Sequence, residues 1–400
     1  MIKNYIAMTP CHTVLEILDQ LIAFDTTSHK SNLELINYVE DYLTAWGGRC
    51  IRVPNEAGTK TNLFATIGPN VDGGIILSGH SDVVPVEGQS WATDPFKLAK
   101  KDDRVFGRGT TDMKGFLAVC LAMAPEMASA DLKRPIHIAV SYDEEVGCIG
   151  VRSLIARLEN WPVRPAAVLV GEPTSMRVVD AHKGIVAYRV DITGREAHSS
   201  TRGLGLNAIN VAARLINAIE QLGESFADGS NPDARRDGRF SVSHSTVSMG
   251  TITGGTAVNI IAKNCAFLWE CRPLPIDNPD LLLKPIFDLI TTMRTDIQAK
   301  APESDIIITK LVETPGLLPE PGSIAESIAF KLAHQNHTKA VAFATEGGLF
   351  QSIGLPTVVC GPGHIDQAHT ANEFVEIAQL KSCEEMIRNL ITSLTEQVIS

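Results

Sequence analysis

Over the first 183 residues, short apolar runs alternate with stretches of helical spacing. Gly74-Ile75-Ile76-Leu77-Ser78, Ile136 to Ser141 and Ala167-Val168-Leu169-Val170 predict the central strands of a mostly parallel or mixed sheet, with helices on both faces. Between them, Gly115 to Met123 is apolar throughout and predicts a buried helix. After Lys183 the pattern changes. Tyr188-Arg189-Val190-Asp191-Ile192 alternates like a strand with one wet face, and Asn207 to Leu222 has helical spacing. Strand-like stretches follow at Ser243 to Ala262 and Cys265 to Glu270, then a helix over Asp280 to Ala299 and a strand over Asp305 to Val312.

That β-α-β-β-α-β succession is the order of a ferredoxin-like α+β domain, here inserted into the first one. The Pro/Gly-rich passage Thr314 to Gly322 marks the return, and Ser323 to Ser400 supplies further helix and strand to the larger domain. The division expected is therefore residues 1–183 with 315–400 as one domain and 184–314 as the other.

Composition narrows the class. A chain of 400 residues that is 44% hydrophobic and 20% charged is globular and long enough for two or three domains. Its net charge of −11, with no localised basic patch, argues against nucleic acid and against anionic membrane surfaces as partners. The eight cysteines are scattered without a Cys-x-x-Cys, so they read as thiols in a reducing compartment. Met1 to Tyr5 shows no positive region leading into an apolar core, and no apolar stretch reaches membrane-spanning length. The expectation is a cytoplasmic protein.

The chemistry gathers where the apolar runs end. His80 follows the run beginning at Ile75, and Asp82 lies two residues on, placed for a carboxylate to orient the imidazole from behind. Glu144 and Glu145 come just past the run ending at Tyr142, Glu172 follows the third run, and His369 follows the apolar stretch ending at Cys360. Asp112 stands in Gly107-Arg108-Gly109-Thr110-Thr111-Asp112-Met113-Lys114-Gly115. This is no phosphate loop, because Gly115 occupies the position that needs Ser or Thr. Strand ends delivering such groups to one rim place the site where open α/β sheets usually have theirs. Two histidines with three carboxylates suit zinc, cobalt or manganese, and the lack of a cysteine ligand argues against a structural zinc site. Five ligands with a spare glutamate suit two ions, which would lower the pKa of a shared water and polarise a carbonyl. A carboxylate must then carry the water's proton to the leaving amine, and Glu144 is the candidate for that base, with Glu145 a ligand.

Five ordered segments carry a family resemblance: Ser78 to Pro85, Gly107 to Gly115, Asp143-Glu144-Glu145, Gly171-Glu172-Pro173-Thr174 and Gly361 to His369. Together they resemble the acetylornithine deacetylase / succinyldiaminopimelate desuccinylase family of dinuclear zinc hydrolases, over about residues 12–390. The resemblance implies a zinc-exopeptidase-like mixed sheet sandwiched by helices, with the inserted domain serving as lid and homodimer contact. It implies that His80 and Glu172 hold one ion and Glu145 and His369 the other, with Asp112 bridging. The ions would be zinc, or alternatively cobalt. Asp82 would orient His80, and Glu144 would be the general acid and base.

In the inserted domain, the resemblance has His198 reach the partner subunit's site to help hold an oxyanion, and makes Asn259 and Arg272 substrate contacts. The Thr345-Glu346 pair resembles the acetylornithine deacetylase branch, with Glu346 receiving a substrate amino group. The implied reaction is hydrolysis of N2-acetyl-L-ornithine, within arginine biosynthesis. The rivals are succinyldiaminopimelate desuccinylase and other N-acyl-amino acid deacylases.

Overall fold

The computed structural model describes residues 12–396. Cys11 and the Met1 to Tyr5 segment lie outside them. The described residues divide into two compact units, one of residues 12–180, 319–339 and 345–396, the other of residues 181–318 with 340–344.

In the first unit the strands are β1 (Arg49–Pro54), β2 (Thr61–Ile67), β3 (Ile75–His80), β4 (Ile136–Ser141), β5 (Ala167–Pro173) and β6 (Thr357–Gly361). They lie in the order β1-β2-β4-β3-β5-β6 within a mixed sheet. β3 runs parallel to β4 and to β5, and β6 runs parallel to β5, while β2 pairs antiparallel with β4 and with β1. Every residue of β2 to β6 is buried, as expected of strands covered on both faces. Those apolar runs are thus sheet interior, and their C-terminal ends face one way.

Helix α1 (Val14–Ala23) begins in a capping box in which Thr13 and Glu16 satisfy each other's backbone N–H groups. Its last carbonyls are met by Lys114, whose ammonium, fully buried at the start of α2 (Lys114–Ala122), donates to the oxygens of Leu21 (3.0 Å) and Phe24 (2.8 Å). Burial pushes that amine down to about 7. α2 is the buried helix expected from the sequence, and with α3 (Ile377–Thr395) it packs into the same apolar core as the sheet. At Gly171 in β5 an added Cβ would lie 2.1 Å from the Phe116 ring of α2, so only glycine allows this close approach of helix and strand.

The second unit has its own core. Its strands are Ile185–Thr193, Thr246–Gly254, Asn264–Arg272 and Asp305–Thr314, its long helices Ala208–Asp228 and Pro279–Lys300. The four strands are antiparallel throughout, with the third and fourth flanking the first and the second beyond the third. This is the ferredoxin-like arrangement that the element order predicted.

Some boundaries differ from the sequence reading. The strand expected over Ser243 to Ala262 stops at Gly254, next to Gly255 with its positive φ of 73°. The helix expected to end at Leu222 runs six residues further to Asp228 and closes on left-handed Gly229. A small sheet of Ala99–Lys101, Arg104–Phe106 and Phe374–Glu376 went unpredicted, being short and polar with only Val105 and Val375 buried in it. No helix among the described residues is long and apolar enough to cross a membrane.

Candidate metal centre

The C-terminal ends of the parallel strands bring together five of the expected residues. His80 closes β3 and Glu172 lies in β5. Glu145 sits in the turn after β4, Asp112 in the loop before α2, and His369 beyond a one-turn 3-10 segment after β6. Asp112 faces both imidazoles. Its Oδ1 lies 2.9 Å from His80 Nε2 and its Oδ2 3.2 Å from His369 Nε2. Glu172 Oε1 is 3.6 Å from His80 Nε2, and Glu145 Oε2 is 2.9 Å from His369 Nε2. Two groups of potential ligands therefore share one carboxylate: His80, Asp112 and Glu172, and Asp112, Glu145 and His369. The buried Oε1 of Glu145 has no hydrogen-bond partner, an acceptor free for a cation. A set of hard oxygens and imidazole nitrogens fits divalent ions of the zinc or cobalt type.

The ring of His80 is set from behind by main chain. Its Nδ1 lies 2.8 Å from the carbonyl oxygen of Asp82, against 3.6 Å to the Asp82 carboxylate. A proton on Nδ1 held by that carbonyl leaves Nε2 turned to the acidic cluster. The Asp82 carboxylate has other work. It accepts from the backbone N–H of Glu144 (3.1 Å) and Glu145 (3.3 Å) and from the Ser28 hydroxyl (2.7 Å), which fixes the turn after β4. Past the end of β3 the carbonyl of Asp82 thus lies nearer the ring than its carboxylate, and both stand behind His80.

Electrostatics reflect carboxylates crowded away from water. Burial first, then the charge of Asp112, raises Glu172 well above the usual carboxylate range and lifts Glu145 to about 7. Burial and the neighbouring Glu145 raise Glu144 well above its usual value, against the pull of His80. Asp112 is opposite in sign, because hydrogen bonds from His369 and His80 outweigh its burial and hold it low. Burial works against protonation of His80, yet the hydrogen bond to Asp112 and the charge of Glu172 raise it well above the ordinary imidazole value.

The remaining candidates are placed differently. Glu346 was expected to receive a substrate amino group, but it is 1% exposed, with its oxygens taken by the hydroxyls of Ser141 and Ser78. Burial lifts it to about 7. His198, Asn259 and Arg272 belong to the second unit. There, exposed His198 bonds through Nδ1 to Ser200 Oγ at 2.7 Å, and the N–H of the next residue, Ser199, donates to the Asn259 carbonyl at 3.0 Å. The Arg272 guanidinium is engaged by Glu270, two residues back on the same strand, at 3.0 and 3.1 Å. One contact went unforeseen: the thiol of buried Cys148 donates to Glu144 Oε1 at 3.2 Å, a tight-turn contact that a scan for metal-ligand spacing has no reason to flag.

Comparison with known proteins places the chain. The sequence model of Peptidase family M20/M25/M40 matches residues 76–393. This protein belongs to that family. It is 33% identical to acetylornithine deacetylase of Proteus mirabilis over 387 residues, covering 95% of this chain and 96% of that protein. To the acetylornithine deacetylase of Pasteurella multocida it is 32% identical, covering 94% and 97%. Its fold is similar to that of a tripeptidase of Staphylococcus aureus, with a TM-score of 0.74 at 19% identity, covering 98% and 100%. As a member of the M20 family the protein is a hydrolase acting on amide bonds.

The pH dependence of the metal-free M20 protein follows from His369. Hydrogen bonds to Asp112 and Glu145 lift its imidazole to about 10, with 53% of the side chain still exposed. A folded pKa above the unfolded value of about 6.5 adds stability that is complete below that pH and is lost as pH rises through the folded value. In chelator-treated protein, the urea midpoint of the wild type should fall more steeply from about pH 6.5 to about pH 10 than that of His369→Gln. Parallel curves for the two proteins would show that the imidazole is not held this way.

Proposed function

We propose that this enzyme removes the acetyl group from N2-acetyl-L-ornithine, giving L-ornithine and acetate in cytoplasmic arginine biosynthesis. The observation that supports the chemistry is Asp112 set between two imidazoles, with its two oxygens facing different rings. What supports the substrate is that relatives 33% and 32% identical over nearly the whole chain carry the name acetylornithine deacetylase. Glu172, rather than aspartate, near the end of β5 resembles the family's acyl-amino acid hydrolases more than its dipeptidases.

In this reading His80 and Glu172 would hold one divalent ion and Glu145 and His369 a second, with Asp112 available to both groups. Zinc is the preferred ion and cobalt the alternative. When bound, the pair supplies Lewis acidity, lowering the pKa of water and polarising the acyl carbonyl.

The proton work falls to Glu144. A carboxyl raised by burial and by its acidic neighbour holds a proton more readily than one in water, so it can take the proton of the attacking water and return it to the leaving amine. The Cys148 thiol occupies Oε1, which leaves Oε2 for that traffic. Asp82, bonded to the N–H groups of Glu144 and Glu145, keeps base and ligand in one fixed turn.

The second unit acts in this proposal as the lid and dimerisation domain. His198 of one subunit helps stabilise the oxyanion formed from the acyl carbonyl in the partner's site, Asn259 contacts substrate, and Arg272 exchanges Glu270 for the α-carboxylate of the amino acid as a charge-assisted pair.

Chelator-stripped protein titrated with zinc or cobalt should regain acetate release from N2-acetylornithine in step with metal uptake. If the metal instead restores only succinate release from N-succinyldiaminopimelate, the reading passes to the desuccinylase. Glu144→Ala should keep two ions and lower kcat by about 100- to 10,000-fold, and a variant retaining more than about a tenth of wild-type turnover would sink the base assignment. His198→Ala should lower kcat by about 100- to 1,000-fold at unchanged metal content, whereas normal kinetics would remove the residue from the reaction.

A further inference from the structure

The proposed ligands differ in what holds them. His80 and Glu172 are carried by paired strands of the sheet, and Glu145 by a turn anchored on Asp82. Asp112 and His369 are on loops. His369 has a φ of 60°, the left-handed region that a non-glycine residue keeps only when its surroundings impose it.

Three side chains impose it. Glu373 is fully buried four residues beyond His369, and its carboxylate accepts four hydrogen bonds. Oε2 takes Arg108 Nη1 (2.7 Å) and the N–H of Gly109 (2.9 Å), and Oε1 takes the N–H groups of Thr111 (2.8 Å) and Asp112 (3.0 Å). One carboxylate therefore binds the Asp112 loop to the segment that follows His369. Arg108, itself 1% exposed, lies over the Trp91 ring and donates Nη2 to Gln89 Oε1 (2.6 Å), while Nη1 also reaches the Thr370 carbonyl (3.4 Å). Gln89 closes the ring: its Nε2 donates to the carbonyl of His369 itself at 2.8 Å, and its Oε1 also accepts from Trp91 Nε1 at 3.1 Å. Apart from the stacking of Arg108 on Trp91, every link is a directed hydrogen bond, and the charged pair at the centre is shielded from water, so the arrangement favours one geometry.

We propose that Gln89, Arg108 and Glu373 are positioning residues that set the separation of His369 from Asp112, and so set the affinity for one ion of the pair. This rests on the ligand reading given under Proposed function. The ion on Asp112, Glu145 and His369 has two loop ligands that depend on this clamp, whereas the ion on His80, Asp112 and Glu172 takes two of its three ligands from the sheet.

Gln89 is the residue to change, because Glu373→Gln would strand the Arg108 charge in the interior and risk the fold. Gln89→Ala removes the bonds to His369, Arg108 and Trp91 and leaves the Arg108–Glu373 pair in place. Full-length protein, stripped by chelator, would be titrated with cobalt and followed by visible absorption and equilibrium dialysis, with His369→Ala marking the uptake step that needs the imidazole. In Gln89→Ala that step should weaken by about 10- to 100-fold, the cost typical of residues that orient ligands, while the other step keeps its wild-type affinity. If His369→Ala abolishes a step that Gln89→Ala leaves untouched, the clamp is refuted and the ligand reading stands. Equal weakening of both steps together with a lowered Tm would mean general loosening and would also refute it. If His369→Ala changes neither step, the ligand reading itself falls and the clamp falls with it.

Discussion

Carboxylates drawn together at the ends of parallel strands, out of reach of bulk water, are the constraint around which the first unit is arranged. Asp112, Glu144, Glu145 and Glu172 crowd one another's charge, and burial pushes all four toward the protonated form; only at Asp112 do the hydrogen bonds from His369 and His80 outweigh it. Two imidazoles answer part of that charge by facing opposite oxygens of Asp112. The unpartnered Oε1 of Glu145 shows that the side chains alone do not satisfy the cluster. A protein keeps so costly an arrangement where a cation or a proton transfer makes use of it. In the reaction proposed for this protein both uses belong to one site, which accounts for candidate ligands and base packed so closely.

Holding such a cluster takes supports of several kinds. The sheet supplies the most rigid, since register along β3, β4 and β5 places His80 and Glu172 with no further device. The turn bearing the glutamates is fastened by Asp82, whose carboxylate collects two backbone N–H groups and a serine hydroxyl. The loop bearing Asp112 is gripped by Glu373 on one side and, through buried Lys114, by the end of α1 on the other. Several of these supports are themselves charged groups with little water around them, so each is tolerated only because it finds hydrogen-bond partners inside the fold.

The fold and the rim of acidic and imidazole groups were legible along the chain because each rests on a local signal. Unbroken apolar runs mark strands buried on both faces, and a histidine or glutamate just past such a run must emerge at a strand end. The alternating pattern after Lys183 marks strands with one wet face, and the order of elements there was enough to name the ferredoxin-like arrangement. Local signals were weaker at the edges: the small sheet containing Phe374–Glu376 has too few apolar positions to register as strands.

Residue types, their order and the strand ends they follow were thus decided in one dimension, because burial and backbone periodicity act over a few neighbours. Partners were decided only in three. Arg108 and Glu373 meet across 265 positions, and Gln89 reaches His369 across 280. The same limit holds for Glu346 and His80. Nothing near Glu346 in the chain announces that Ser78 and Ser141 will close over it, and nothing near His80 tells whether the carbonyl or the carboxylate of Asp82 will lie closer to its ring. Hydrogen bonds depend on distance and angle to within fractions of an ångström, and that geometry exists only once distant segments have packed.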